Sequence, residues 1–81
     1  MSLEEYTEFL VKSICPENEL ITIKSYQKDE NTNTLDVLVP KDLLGVVLGK
    51  DGKNIKAIRT LINVYAFKNE KGKVDINVES F

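Results

Sequence analysis

The sequence predicts an α+β fold in which three helices pack on one face of a three-stranded sheet, in the order helix, strand, strand, helix, helix, strand. Three observations predict it. Residues 20–39 hold two β-rich runs separated by a polar turn, residues 53–67 repeat apolar side chains at helical spacing, and Val74, Ile76 and Val78 alternate with Asp75, Asn77 and Glu79. The chain of 81 residues has no linker, internal repeat or low-complexity segment, so residues 1–81 read as one domain with room for one core.

Each element has a local reason. Ser2-Leu3-Glu4-Glu5 has the S-x-x-E form of a capping box and starts the first helix. Leu3, Tyr6, Leu10 and Ile14 follow on one face, and Pro16 stops the run by disfavouring helix at Cys15. Leu20 to Lys28 is rich in β-branched and aromatic residues, Asp29 to Asn33 supplies turn chemistry, and Thr34 to Val39 resumes the alternation until Pro40. Lys41 to Leu48 reads as a short helix with Asp42 near its start, interrupted by Gly49-Lys50-Asp51-Gly52.

The next helix runs from about Lys53 to Phe67. At 100° per residue, Ile55, Ala57, Ile58, Leu61, Ile62, Tyr65 and Ala66 share one arc, expected to be core. Lys53, Lys56, Arg59, Thr60 and Asn63 share the opposite, basic arc; Asn54 and Phe67 fall outside the pattern at the helix ends. A turn at Asn69 to Lys73 then leads into a half-buried strand.

Composition removes several function classes. With 42% hydrophobic and 30% charged residues the chain is an ordinary soluble globular sequence. Histidine is absent, which excludes His-dependent triads and His-ligated metals. The one cysteine, Cys15, is expected to be a small buried hydrophobe, and the lack of a disulfide framework fits a reducing cytosol. No basic leader or membrane-length apolar stretch is present. Asp29, Glu30 and Asp36, or Asp75 and Glu79, lie in a turn or point out from strands, a poor basis for acid–base catalysis. The expectation is therefore no enzyme, cofactor, metal or small-molecule substrate. Six aromatics are too few for a broad stacking platform: Tyr6, Phe9 and Tyr65 fall at core positions, and Tyr26 and Phe81 read as sheet packing and chain end.

Charge is unevenly placed. Residues 1–40 hold three cations against eight anions, and residues 41–81 hold eight cations against five anions, although the whole chain is −2. A partner feels the local field, so the second half is the place to look for an anionic ligand.

The glycines there fail two phosphate-loop patterns. Gly45 and Gly49 are one residue too close for a Walker A loop, and no Ser or Thr follows Lys50. Val47 stands where the first glycine of a dinucleotide fingerprint would be. What remains is a G-x-x-G turn, Gly49-Lys50-Asp51-Gly52, between two apolar helical segments and followed by the basic arc. Two glycines let the backbone approach a sugar-phosphate chain, the following helix directs free amides at the same place, and Lys50 and Lys53 add charge. Read without its surroundings, the turn is a corner between two helices.

Gly45-Val46-Val47-Leu48-Gly49-Lys50-Asp51-Gly52-Lys53-Asn54-Ile55-Lys56-Ala57-Ile58 resembles the core signature of the KH domain, whose GXXG loop clamps four nucleotides of a single strand. A helix and two strands ahead of that loop are similar to the bacterial type II arrangement, which implies a mixed sheet. Small size and the segment Lys53 to Leu61 resemble, more narrowly, the bacterial KhpA-type single-KH family. The resemblance implies cytoplasmic binding of single-stranded RNA by a small RNA chaperone or post-transcriptional regulator, and a homodimer or a heterodimer with another KH protein. It assigns close approach to Gly49 and Gly52, and phosphate contact to Lys50 and Lys53. It assigns the groove floor to Gly45, Leu48 and Ile55, the far wall to Val74–Val78, and the variable loop to Asp29–Asn33. Asp51 sets a carboxylate beside the ligand, or caps the following helix, and Lys56 and Arg59 extend a positive track along it. The alternative is a KH-like protein-interaction module with little RNA affinity, which the negative net charge favours.

Overall fold

The computed structural model of the chain describes residues 1–15 and 20–81. Helix α1 (Leu3–Ile14) opens the fold, followed by strands β1 (Thr22–Asp29) and β2 (Thr32–Val39). A 3-10 turn over Lys41–Leu43 leads into the short helix α2 (Leu44–Leu48), and a second such turn over Lys50–Gly52 joins it to α3 (Lys53–Lys68). Strand β3 (Lys73–Ser80) ends the chain. Pro16, expected to stop α1, lies outside the described residues; α1 ends at Ile14, with Cys15 donating its backbone N–H to Val11.

The strands form one sheet in the order β1-β2-β3, β1 pairing antiparallel to β2 and β2 parallel to β3. The hairpin turn is tighter than the five polar residues predict. Both strands run into it, and Asp29 accepts the backbone N–H of Asn31 at 2.9 Å, an Asx turn that holds its carboxyl below the usual carboxylate range. The parallel β2–β3 pair requires a crossover, which α2 and α3 supply.

The core lies between the helices and one sheet face. Leu35, Val37 and Val39 of β2 are buried there with Val74 and Ile76 of β3, against Val47 of α2, Ile55, Ile58, Ile62 and Ala66 of α3, and Val11 of α1. Cys15 is buried with them, and that burial raises its thiol pKa. On α1 the predicted Leu3, Tyr6, Leu10 and Ile14 are only partly buried, and Thr7 and Val11 go deepest. Thr7 is tolerated because its hydroxyl donates to the Leu3 carbonyl at 2.8 Å. The capping box forms: Ser2 accepts from the Glu5 backbone, and Glu5 accepts from the Ser2 backbone, which pulls the Glu5 pKa down.

Two expectations about the core are corrected. Phe9 is 60% exposed, whereas Tyr6 and Tyr65 are half-buried and stack with ring centroids 4.5 Å apart. The apolar arc of α3 is wider than its neighbours cover, so Ala57 is exposed and Leu61 is 46% exposed; Val64, which lies outside that arc, is 49% exposed beside them. One helix thus carries three sectors: buried apolar, exposed basic and exposed apolar.

Candidate nucleic-acid interface

The turn between α2 and α3 is built from unusual backbone conformations. Gly49 has φ 74° and ψ 170°, a region open in practice to glycine alone. A side chain there would also meet Asn54, whose Cγ would lie 2.6 Å from the added Cβ. Asp51 (φ 56°) and Gly52 (φ 73°) follow in left-handed conformation. Asp is among the few residues with a side chain that enter that region readily, which accounts for Asp51 in backbone terms. It does not cap α3: Gly52 is the N-cap, and no side chain supplies the cap hydrogen bond.

Asn54, which the helical pattern leaves unexplained, braces the turn. Its amide donates to the Val46 carbonyl at 2.7 Å, satisfying an acceptor near the C-terminal end of α2, while its side chain abuts Gly49. Turn and α3 are thereby locked together. No hydrophobic periodicity reveals this role; an Asn five residues after the first glycine is the only sequence trace.

Lys50, Asp51, Lys53, Lys56 and Arg59 are exposed, and Gly52 is half-buried. The first turn of α3 has no acidic residue, so its free amides and the lysines beside them face an approaching anion without a carboxylate on the helix itself. Among the described residues the ion pairs are Lys12–Glu8 and Lys73–Asp75, and neither involves this cluster. Gly45 is exposed with open space where a Cβ would stand, and Leu48 is half-buried against the core. Ile55 is buried in the core, 5% exposed.

The basic arc is not uniformly solvated. Arg59 donates to the Ile76 carbonyl at 3.3 Å, and Asn63 exchanges two hydrogen bonds with the Val74 backbone, at 3.1 Å and 3.0 Å. Both side chains thus occupy backbone groups of Val74 and Ile76 on the edge of β3 away from β2. The Asp29–Asn33 turn meets the start of β3 instead: Lys73 donates its backbone N–H to the Asn31 carbonyl at 2.9 Å. No helix is long and apolar enough to cross a membrane, and no group of three potential metal ligands occurs among the described residues.

Comparison with known proteins bears on this arrangement. The family model described as the KhpA/KhpB KH domain matches residues 4–78. The chain is 33% identical over 78 residues to the RNA-binding protein KhpA of Chlamydia trachomatis, covering 95% of this chain and 99% of that one. It is 35% identical over 69 residues to the RNA-binding protein KhpA of Listeria monocytogenes, covering 85% and 90% respectively. Among solved structures it is similar, at 16% identity and a TM-score of 0.57, to an Era variant from Aquifex aeolicus with GDP and aluminium fluoride, covering 99% of this chain and 31% of that one. At that identity the likeness concerns the fold.

Proposed function

The chain belongs to the KhpA/KhpB KH-domain family and has the α+β, type II KH fold, and from that premise we propose that it binds single-stranded RNA through the Gly49–Gly52 turn and the groove beside it. The observation that carries this reading is the turn: glycine-only backbone, two exposed lysines and the N-terminus of a 16-residue helix converge on one spot. The curated relatives are named RNA-binding proteins, which supports the same ligand. Lys50 and Lys53 meet phosphates, Gly45 and Leu48 floor the groove over Ile55, and Lys56 and Arg59 continue the positive track. The role is binding without catalysis, that of a small bacterial RNA chaperone or post-transcriptional regulator in the cytoplasm.

Self-association, or pairing with another KH protein, belongs to the same proposal. Phe9, Leu61 and Val64 are too exposed for a helix pair that has no other use for them, and Leu61 borders a hollow between α1 and α3. Joining two grooves offsets the weakness of a site that holds about four nucleotides.

Titration of a labelled single-stranded RNA and a matched duplex at two salt concentrations tests the reading. The single strand binds more tightly, with a shallow salt slope of about 2 or 3 contacts. Lys50→Asp lowers affinity at least about tenfold with an unchanged melting temperature. Tighter duplex binding, or unaltered binding by folded Lys50→Asp, returns the turn to a corner between helices.

A further inference from the structure

Tyr26 was expected to serve sheet packing, yet it is 53% exposed on the sheet face away from the helices. The register explains its position. Ile23 and Ser25 pair with the buried Val37 and Leu35, so the alternate residues Lys24 and Tyr26 face the opposite way; Lys28, in the irregularity between Gln27 and Asp29, lines the same hollow as Tyr26. Tyr26 is opposite Thr34, and Thr34 is opposite Asp75. Thr34 is only 4% exposed although it is on the open face, which sets its neighbours over it.

A hollow of about 560 Å³ occupies this end of the sheet. Tyr26, Lys28 and Thr34 line one side; Lys73 and Asp75 belong to β3; and Arg59 reaches it from α3 round the strand edge. Its charged lining is three cations and one carboxylate, Asp75, which lies 3.8 Å from the Lys73 amine, in a chain whose overall charge is −2. That volume falls in the usual range of small-ligand sites, and an exposed phenol ring among cations offers a base a stacking surface and a phosphate a counter-charge.

Arg59 connects this hollow to the turn. It sits six residues after Lys53, roughly 9 Å along α3, and its guanidinium is already held on the β3 edge by the Ile76 carbonyl. A strand clamped at Gly49–Gly52 and following Lys56 and Arg59 therefore arrives at the rim. We propose that the hollow is a second RNA subsite, in which a base beyond the four held at the turn stacks on Tyr26 while Lys28 and Lys73 meet the adjoining phosphates. The proposal rests on the RNA-binding reading and extends the bound length onto the opposite side of the sheet.

The test uses two unstructured uridine oligonucleotides, one of four nucleotides and one of eight. Tyr26→Ala lowers affinity for the eight-nucleotide RNA about tenfold or more, leaves the four-nucleotide RNA unaffected, and is rescued by Tyr26→Phe, which keeps the stacking ring. The chain has no tryptophan, so Tyr26→Trp supplies a single reporter whose emission changes with the longer RNA and not with the shorter. The subsite is overturned if Tyr26→Ala binds both RNAs as wild type does and the Tyr26→Trp emission does not respond. If Lys50→Asp abolishes binding while Tyr26→Ala changes nothing, the turn stands and the subsite alone falls. If wild-type protein binds neither RNA, both fall.

Discussion

On α3, the side carrying Lys53, Lys56 and Arg59 and the side carrying Ala57, Leu61 and Val64 are both open to solvent, yet they call for opposite partners. The first begins at the Gly49–Gly52 turn and ends on the edge of β3, so an extended anion can follow it with its own hydration partly retained. The second borders the α1–α3 hollow through Ala57 and Leu61, and gains only when a surface excludes water from it. In the proposed reading one helix thus carries a ligand side and an assembly side whose centres are about 100° apart and whose edges adjoin at Lys53 and Val64.

The largest effect is expected at the brace between turn and helix. Gly49→Ala forces a strained backbone and drives a Cβ against Asn54, including its backbone N at 2.8 Å. Chemical denaturation should show a loss of about 2 kcal/mol or more, accompanied by weaker RNA binding. Gly52→Ala has room for its Cβ, with the nearest atom 3.9 Å away, and should cost about 1–2 kcal/mol, the left-handed backbone alone. Equal costs at the two positions would contradict the Asn54 brace.

Smaller effects separate members of the basic side. Arg59→Ala removes the hydrogen bond to Ile76 and should lower stability by about 1 kcal/mol as well as weakening RNA binding. Lys56→Ala has no such bond and should leave stability within about 0.5 kcal/mol, while the log-log salt slope of RNA binding falls by up to about 1. Matching thermal and salt-dependence profiles for the two variants would remove the distinction between them.

The smallest effect lies on α1, which carries Phe9 of the apolar side. The Ser2 backbone N–H bond favours the Glu5 carboxylate in the folded chain, so its folded pKa is below its unfolded value. That contribution is complete above the unfolded pKa and is lost as pH falls through the lowered folded one. Glu5→Gln should flatten the acid limb of a stability–pH curve in that window and leave neutral RNA binding alone.

Much of this molecule is readable from residue order. Ser2 and Glu5 announce α1, the alternation of Val74, Ile76 and Val78 announces β3, and the glycine spacing marks the turn, because each feature is a local pattern with a local cause. Ala57 and Leu61 show where such reading stops. Periodicity places a residue on a face of its helix, but whether that face is covered depends on where α1 lies, a tertiary fact. Arg59 and Asn63 likewise looked like solvated members of a basic arc until the crossover brought the edge of β3 beside them. Tyr26 is the converse case: its strand was legible, but not that the sheet leaves its outer face bare.

Whether the turn and the apolar side do separate work is tested by one preparation of each of two variants, Lys50→Asp and Leu61→Glu, followed by sedimentation over a wide concentration range and titration with a four-nucleotide RNA. An RNA that short cannot span two grooves, so avidity does not mix the readouts. Lys50→Asp should lose RNA affinity and associate as wild type does, while Leu61→Glu should sediment as a monomer and bind the short RNA unchanged. If Leu61→Glu loses the RNA while still folded and associated, or Lys50→Asp abolishes association while RNA binding persists, the division of α3 into a ligand side and an assembly side is wrong.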